Sequence, residues 1–288
     1  METKPLIVIV GETASGKSSL AMSLARKFNG EIISADSWVV YKEFSIGTAK
    51  PTSHEQVEVK HHLIDIAEPT EGFNAAKYKH MAQQAIDEIG LRGSLPILVG
   101  GTGLYVDSVL FNYSFLPPAS SDIRNELNNL SLNVLLQRAN KLKLDVSNID
   151  IRNKRRLIRL IESNGQLPKK DKIRQNTLVI GVSLTSEELS ERIYKRANDM
   201  FNKGLIEEVL HLKGKYGWDI EPMRGIGYLE FQEYFNGTQT LDETKNRIIA
   251  STLQLAKRQR TWFKRNNNIQ WICKESEAVD LVTTLLNK

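Results

Sequence analysis

A glycine loop that directly follows a run of apolar residues constrains the fold of this chain more than any other feature. The apolar run covers residues 6–10, and the loop behind it has two glycines separated by four residues and followed by lysine and serine, which is the phosphate-loop pattern. Residues 19–28 then repeat apolar side chains at intervals of three and four, as in a helix. Strand, loop and helix in this order predict a parallel sheet flanked by helices. The loop residues are Gly11, Glu12, Thr13, Ala14, Ser15, Gly16, Lys17 and Ser18.

Each part of this loop has a chemical reason to bind a polyphosphate. The glycines allow backbone N–H groups to turn toward an anion, the helix N-terminus adds a positive dipole end, and Lys17 adds a full charge. Ser18 is placed to hold a Mg²⁺ ion shared with the phosphate. The loop binds the anion and not the group attached to it, so a nucleoside triphosphate is the default ligand at this point.

Composition excludes several classes of protein. Hydrophobic residues make up 41% and charged residues 25%, and no apolar run approaches the ~20 residues of a membrane span. Residues 1–5 lead into the first strand instead of forming a cleavable signal, so we expect a cytoplasmic protein with no membrane contact. The single cysteine, Cys273, excludes an internal disulfide and a cysteine zinc cage, which favours a small buried side chain.

The net charge of +5 is unevenly distributed along the chain. Residues 1–100 hold ten Lys or Arg against twelve Asp or Glu, whereas residues 152–175 hold nine basic residues against two acidic ones. A block of this kind commonly marks a surface that binds nucleic acid, although a charged run is more often a solvated face.

The remaining chain continues an α/β alternation on both sides of a purely helical stretch. Predicted strands cover residues 31–35, 62–66, 95–99, 177–182 and 269–273, and predicted helices cover residues 73–90, 186–200, 205–212, 240–265 and 277–286. The α/β alternation stops near residues 116–118, and predicted helices follow at 122–130, 133–142 and 151–163. The sequence therefore predicts a P-loop NTPase-like α/β core, residues 1–116 and 176–288, with an all-helical insertion domain at 117–175.

Polar side chains follow two of the predicted strands at the edge where the loop lies. Asp36 comes after the second strand, and Thr102 lies in a glycine turn at residues 100–103 after the fourth. Because ligands of open parallel sheets bind at the carboxyl ends of the strands, we expect Asp36 to face the same crevice as Lys17 and the glycine turn to approach a ligand. The alternatives are a turn cap for Asp36 and a tight, ligand-free connection for the glycine turn.

Other candidate groups give weaker signals. Asp65 ends the third predicted strand and is a possible magnesium-binding acid. His61 and His62 lack a third ligand at suitable spacing, which favours packing or hydrogen bonding over a metal site.

Two helices carry basic faces. In the insertion, Arg152, Arg155, Arg156 and Arg159 share one predicted helical face, opposite Leu157 and Ile158. The last long helix ends in five basic residues interleaved with aromatic ones at 257–265, where cations also suit a helix C-terminus. Both faces are candidates for binding nucleic acid.

The ordered set of motifs resembles the bacterial tRNA dimethylallyltransferases, also called tRNA isopentenyltransferases. It comprises the phosphate loop and residues 36–41, 46–51, 61–65, 100–102 and 224–228. The resemblance extends from Pro5 to the basic aromatic helix and so covers nearly the whole chain. It implies transfer of a dimethylallyl group from dimethylallyl diphosphate to N6 of adenosine 37 in tRNA, with Mg²⁺ as cofactor at Ser18. The implied partners are dimethylallyl diphosphate and the tRNA anticodon stem-loop, and we expect a monomer.

The same resemblance assigns roles to individual residues. It implies that Asp36 is the general base, that Thr102 lines the reaction channel, and that Lys17 and Arg224 act on the diphosphate. The implied tRNA contacts are Asp36, Ser37, Trp38, Val39, Thr102, Arg124, Arg155, Arg156, Leu157, Ile158, Arg159, Arg224, Gly225, Ile226, Gly227, Tyr228 and Leu229.

The chain departs from the family pattern in two places. Glu12 stands where the family usually has proline, which puts an acid beside a diphosphate, and Trp38-Val39 replaces the common Met-Gln pair. The alternative functions are a P-loop small-molecule kinase, a nucleic-acid-dependent NTPase, and an isopentenyltransferase acting on free adenine nucleotides.

Overall fold

The computed structural model describes residues 4–117, 120–147 and 149–287 and divides them between two compact units. The smaller unit is Phe111–Ile173, and the larger unit contains the chain on either side of it. The expected insertion boundaries, 117 and 175, lie close to these limits.

The larger unit is built on a six-stranded parallel sheet, which confirms the α/β prediction. The strands are β1 Leu6–Gly11, β2 Gly30–Ser34, β3 His61–His62, β4 Leu95–Gly100, β5 Thr177–Val182 and β6 Ile269–Ile272. Their order in the sheet is β3-β2-β4-β1-β5-β6, and all five pairings are parallel. Because β2, β4 and β1 are neighbours, the segments that follow them start from one edge of the sheet.

Helices cover both faces of this sheet. Those of the larger unit are α1 Lys17–Phe28, α2 Ser53–Glu58, α3 Ala75–Leu91, α4 Gly103–Leu110, α8 Ser186–Asn202, α9 Leu205–Tyr216, α10 Phe231–Phe235, α11 Leu241–Phe263 and α12 Glu275–Leu286. One buried cluster joins α1 and α12 to the strands, and another joins α8 to α11. The predicted capping box at the start of α11 is confirmed, since Thr240 and Glu243 exchange backbone-to-side-chain hydrogen bonds of 2.8 and 3.2 Å.

The smaller unit contains three helices around its own core. They are α5 Ser121–Asn129, α6 Leu132–Lys141 and α7 Lys154–Glu162. Leu127, Leu135 and Leu157 are fully buried at the centre, together with Ile158. Leu157 and Ile158 therefore contribute their side chains to this core and not to the surface.

Three sequence predictions about local structure are wrong. The third strand ends at His62 instead of residue 66, because Leu63 and Asp65 have φ of 62° and 55°, outside the extended range. Arg152 lies in a turn before α7 and so does not share its face. Cys273 follows β6 and is exposed, not buried.

Within the described ranges, no helix combines the length and the hydropathy that crossing a membrane requires.

Candidate active site

The loop between β1 and α1 requires glycine at two positions of its backbone. Gly11 and Gly16 have φ of 156° and 98°, values that favour glycine. A Cβ atom at Gly11 would lie 2.9 Å from the Ser15 hydroxyl oxygen and 3.0 Å from the Val182 carbonyl oxygen, so no larger residue fits. The loop therefore needs both glycines, and α1 begins directly behind them at Lys17.

Lys17 is partly buried and lies near one cation and two carboxylates. Its Nζ donates a hydrogen bond to the carbonyl oxygen of Glu12, 2.9 Å away. Burial, and then the charge of Arg196, lower the pKa of Lys17 to about 8, while the carboxylates of Asp36 and Glu12 oppose this shift. A bound anion would raise the pKa of Lys17 again, because it would stabilise the protonated amine.

Asp36 follows β2 and lines the same cavity as Lys17, as the sequence predicted. Its Oδ1 accepts a hydrogen bond of 2.8 Å from the backbone N–H of Trp38. The carboxylate is thus fixed on one side by its own turn. Its negative charge opposes, without reversing, the lowering of the pKa values of Lys17 and Arg196 that burial causes.

Thr102 supports the segment that carries Asp36. Its hydroxyl oxygen accepts a hydrogen bond of 3.1 Å from the N–H of Ser37, and its own N–H donates one of 3.1 Å to the Ala35 carbonyl. Thr102 is not among the residues that line the cavity. Its contacts hold the backbone on both sides of Asp36, and its place in a reaction channel stays a prediction.

The cavity at this edge has a volume of about 350 Å³, within the range of small-ligand sites. Polar groups from the loop and from β2 line it together with apolar side chains from the sheet and from α8. The polar and charged members include Thr13, Lys17, Ser18, Asp36, Lys50, Arg196 and Lys203, and the apolar members include Met22, Ile32, Val99, Ile193, Ala197 and Met200.

Arg196 is a cavity residue that sequence reasoning missed. It lies on α8 and is half-buried, and burial lowers the pKa of its guanidinium. Among the residues that the structure describes, it has no hydrogen bond or ion pair. A partly desolvated cation without a hydrogen-bonded partner favours an anionic ligand. The sequence did carry a signal for Arg196. It lies at helical spacing from Ile193 and Met200 and next to Ala197, and all four residues line the same cavity.

Helix α11 holds the loop and the second glycine turn in place. The Gln259 carboxamide oxygen accepts a hydrogen bond of 2.7 Å from the Thr13 N–H, and its nitrogen donates one of 3.1 Å to the Gly101 carbonyl. A Cβ atom at Gly101 would lie 2.2 Å from Gln259, and one at Gly103 would lie 2.3 Å from Trp262. At these two positions glycine admits α11 and not a ligand, contrary to the sequence prediction, although Gly100 does line the cavity.

The basic end of α11 is divided between the interior and the surface. Gln259, Arg260, Trp262 and Phe263 contact the loop, α4 or the core, whereas Lys257, Arg258, Lys264 and Arg265 are exposed. Binding of nucleic acid by the exposed half stays a prediction.

Residues 224–229 contribute to the cavity in part. Ile226, Gly227 and Tyr228 line it, but Arg224, which is exposed at the end of the 3₁₀ turn Glu221–Arg224, does not. The Tyr228 hydroxyl donates to Glu208, whose carboxylate also accepts hydrogen bonds from three consecutive N–H groups, those of Ser45, Ile46 and Gly47. The resemblance implied that Arg224 contacts the diphosphate. Lys17 and Arg196 are cations that do line the cavity. Leu229 is exposed.

The arginines of the smaller unit differ in their environments. Arg124 and Arg159 both pair with Glu162, whose side chain is only 1% exposed, and Arg159 also donates to the Leu116 and Pro117 carbonyls. These two arginines hold the unit together. Arg155 and Arg156 are exposed on α7 and form the arginine face that remains.

The groups considered as metal ligands, including those for which packing was favoured, can be sorted by their contacts. His62 pairs with Glu31 and His61 contacts the Val59 carbonyl, while Asp65 pairs with Lys50 at 2.5 Å. In the described part of the chain, no group of three His, Cys, Asp or Glu side chains could form a metal site. Mg²⁺ that arrives on a phosphate needs only one or two protein oxygens, and the exposed hydroxyl of Ser18 in the cavity fits that requirement.

Comparisons with known proteins identify the family. A family model described as IPP transferase matches residues 39–266. The tRNA dimethylallyltransferase of Acetivibrio thermocellus is 40% identical over 290 residues, which cover 94% of this chain and 92% of that protein. The crystal structure of the tRNA isopentenylpyrophosphate transferase of Bacillus halodurans is 36% identical, with a TM-score of 0.77 over 99% of this chain and 97% of the other.

A more distant structure extends the likeness beyond bacteria. It is that of a eukaryotic dimethylallyltransferase acting on tRNA, 26% identical with a TM-score of 0.80, covering 94% of this chain and 74% of the other. These matches extend over nearly the whole chain and agree with the resemblance seen in the motifs. All three relatives are named for tRNA. This chain therefore belongs to the IPP transferase family, a family of prenyltransferases.

Proposed function

We propose that this chain transfers the dimethylallyl group of dimethylallyl diphosphate to N6 of adenosine 37 in tRNA and releases diphosphate. The observation that carries this proposal is that one cavity is lined both by the phosphate loop and by the carboxylate of Asp36. A prenyl transfer needs these two groups on either side of the reacting carbon. Because tRNA is the substrate, the proposal also places the reaction in the cytoplasm.

The diphosphate leaves as an anion that the loop stabilises. As the C–O bond breaks, negative charge grows on the diphosphate, next to the N-terminus of α1, the Lys17 ammonium and the guanidinium of Arg196. Mg²⁺ held by Ser18 would add a further positive charge to the leaving group. We assign to Arg196 the role that the resemblance implied for Arg224, since Arg196 is the one that lines the cavity.

The nucleophile is the exocyclic amine of adenine, whose lone pair is delocalised into the ring. A carboxylate is a weak base at neutral pH, so Asp36 acts mainly by orienting the amine and accepts its proton as the N–C bond forms. The hydrogen bond from the Trp38 N–H leaves the other oxygen of Asp36 for this task.

The apolar wall protects the allylic carbon. This carbon gains cationic character as the diphosphate departs, and water would capture it to give an alcohol. Met22, Ile32 and Val99 line the cavity beside the loop and exclude water from part of it.

The adenine must leave its stacked anticodon loop to reach this cavity, as enzymes that act on bases require. Trp38 is half-buried, lines the cavity and rests against Gly225, where a Cβ atom would lie 3.4 Å from the indole. An aromatic ring in this position suits contact with a flipped base.

In the smaller unit, Arg155 and Arg156 are the proposed contacts with tRNA phosphates. All groups used here come from one chain, and the monomeric state stays a prediction.

One labelling experiment separates this function from its rivals. Labelled dimethylallyl diphosphate and labelled ATP are offered separately, each with and without unmodified tRNA. We expect label from dimethylallyl diphosphate in tRNA and no ATP-dependent label in any product. ATP hydrolysis or phosphoryl transfer without prenylated tRNA would indicate a kinase or NTPase instead, and prenylated free nucleotides would indicate the third alternative.

A further inference from the structure

The second residue of the phosphate loop is a buried acid. Glu12 is 5% exposed, and Arg260 of α11 donates two hydrogen bonds to its carboxylate, of 2.6 Å from Nε and 3.0 Å from Nη2. A two-point arginine–carboxylate pair is among the stronger hydrogen-bonded pairs in proteins. It is unexpected in a loop whose ligand is an anion.

The carboxylate of Glu12 lies away from the phosphate cavity. Glu12 and Arg260 line a separate cavity of about 220 Å³, together with Val182, Phe263 and Trp271. Lys17 and Ser18 line the larger cavity, which Glu12 does not. The acid is nevertheless close enough for its charge to oppose part of the lowering of the pKa of Lys17, whose largest cause is burial.

Arg260 is itself held close to the loop. The preceding residue on α11, Gln259, accepts the Thr13 N–H and donates to Gly101, so α11 contacts two consecutive loop residues. The hydrogen bonds to Glu12 are the largest cause of the raised pKa of Arg260, so this cation stays charged. An arginine fixed in this way can cancel the charge of Glu12 permanently.

We propose that Arg260 is a positioning residue that makes a glutamate at position 12 compatible with diphosphate binding. It neutralises the Glu12 carboxylate and holds it on the side of the loop that faces away from the phosphate cavity. Without Arg260, an uncompensated buried carboxylate would lie within the loop that must receive an anion, and it would oppose that anion. This inference rests on the proposed function only in that the loop binds a diphosphate.

The test measures binding of inorganic diphosphate by calorimetry, with Mg²⁺ and all 288 residues of this chain. Arg260→Met should weaken binding by about tenfold or more, because it leaves Glu12 buried and unpaired. Adding Glu12→Gln to that variant should restore affinity to within about threefold of the original chain, since the offending charge is then gone. Glu12→Gln alone should bind diphosphate about as well as the original chain.

Rescue distinguishes this role from a merely structural one. If the double variant binds as weakly as Arg260→Met, or if Arg260→Met binds normally, the inference is wrong. A loss of about tenfold in Glu12→Gln alone would also overturn it. Arg260→Lys keeps the positive charge but loses the two-point geometry, so it should show an intermediate loss of diphosphate affinity. It also serves as the test variant if Arg260→Met fails to fold.

Two controls complete the design. Glu187→Gln and Arg258→Met change exposed residues of α8 and α11, and each should leave diphosphate affinity unchanged. The readout is binding of diphosphate and needs no RNA. A failure of tRNA prenylation would therefore count against the proposed function while leaving this result intact.

Discussion

Asp36 and Lys17 act on opposite partners in the proposed reaction. Asp36 orients the amine, and Lys17 stabilises the leaving diphosphate, yet both side chains line one cavity. Variants of each should therefore fail at different steps, and kinetics can separate them.

Replacing Asp36 should slow chemistry and leave binding intact. We expect Asp36→Ala to lower kcat by about 10²–10⁴, the usual contribution of a positioned general base, with tRNA affinity little changed. Single-turnover transfer and tRNA binding by filter retention measure the two quantities. Turnover close to normal in Asp36→Ala would remove Asp36 from this role.

The lowered pKa of Lys17 predicts how diphosphate binding depends on pH. In the free protein Lys17 loses its proton near pH 8, whereas a bound anion favours the protonated form. Diphosphate affinity should therefore be fully present below about pH 8 and fall as the pH rises above it. Calorimetry from about pH 7 to pH 9.5 measures this fall.

Lys17→Arg is the matched control for that profile. Arginine stays charged throughout the range, so this variant should show only the pH dependence of diphosphate itself. Identical profiles for the two proteins would contradict the assignment of the transition to Lys17.

At the residue scale, sequence reasoning found the groups that are marked by local patterns. Asp36, Lys17 and Ser18 were predicted because a strand end and a glycine loop mark them, and all three line the cavity. Gln259 and Arg260 were missed as loop partners because they meet the loop across about 250 residues of chain, at separations of 246 and 248. Nothing in the helical pattern of α11 indicates which of its polar residues faces the loop.

At the scale of elements, Glu208 joins two motifs that the sequence shows separately. Its carboxylate accepts hydrogen bonds from three N–H groups at residues 45–47 and from the Tyr228 hydroxyl, with distances of 2.8 to 3.1 Å. Both segments line the cavity, at Gly47 and at Tyr228. Helix α9 thus shapes the wall of the site without entering it.

Removing this carboxylate should destabilise the protein. We expect Glu208→Ala to lower the free energy of unfolding by about 2–4 kcal/mol, because it leaves several partly buried donors unsatisfied. Glu207→Ala, on the exposed side of the same helix, is the control and should change stability by less than about 0.5 kcal/mol. Chemical denaturation measures both, and equal stability of the two variants would contradict this account.

Helix α7 carries arginines with two different tasks, and their variants should differ accordingly. Arg155→Gln with Arg156→Gln should weaken tRNA binding and reduce its dependence on salt, because each removes an exposed cation from the surface. Arg159→Gln should instead destabilise the smaller unit, since Arg159 pairs with the buried Glu162. Salt titrations of tRNA binding, with thermal unfolding of each variant, make this comparison. If the variant with Arg155→Gln and Arg156→Gln binds tRNA like the original chain at every salt concentration, the exposed face of α7 is an ordinary solvated surface.

The predicted elements agree best with the structure where a continuous apolar run or a long helical repeat marks them. β5 was predicted with its observed bounds, and α11 to within two residues of its end. The apolar run at the third strand was too short to show where the strand ends. Asp65, expected in that strand, lies beyond it and pairs with Lys50. Arg152 fits a helical face by spacing alone, yet α7 begins only after Asn153.

For the whole molecule, the order of the motifs carried more information than any one of them. The phosphate loop predicts the sheet and its ligand edge, but many P-loop proteins share it. The full set of motifs identified the family, and the matches over nearly the entire chain confirm it. The pairing of Glu12 with Arg260 could not be predicted in the same way, because it depends on how α11 packs against β1.

The most direct test of the whole account maps the product on RNA. An unmodified anticodon stem-loop is incubated with this protein, dimethylallyl diphosphate and Mg²⁺, digested, and analysed by mass spectrometry, beside the same RNA with guanosine at position 37. We predict one dimethylallyl group on the adenosine at position 37, stoichiometric release of diphosphate, and no product from the guanosine RNA. Unmodified RNA after complete incubation, or prenylation at another position in both RNAs, would contradict the account.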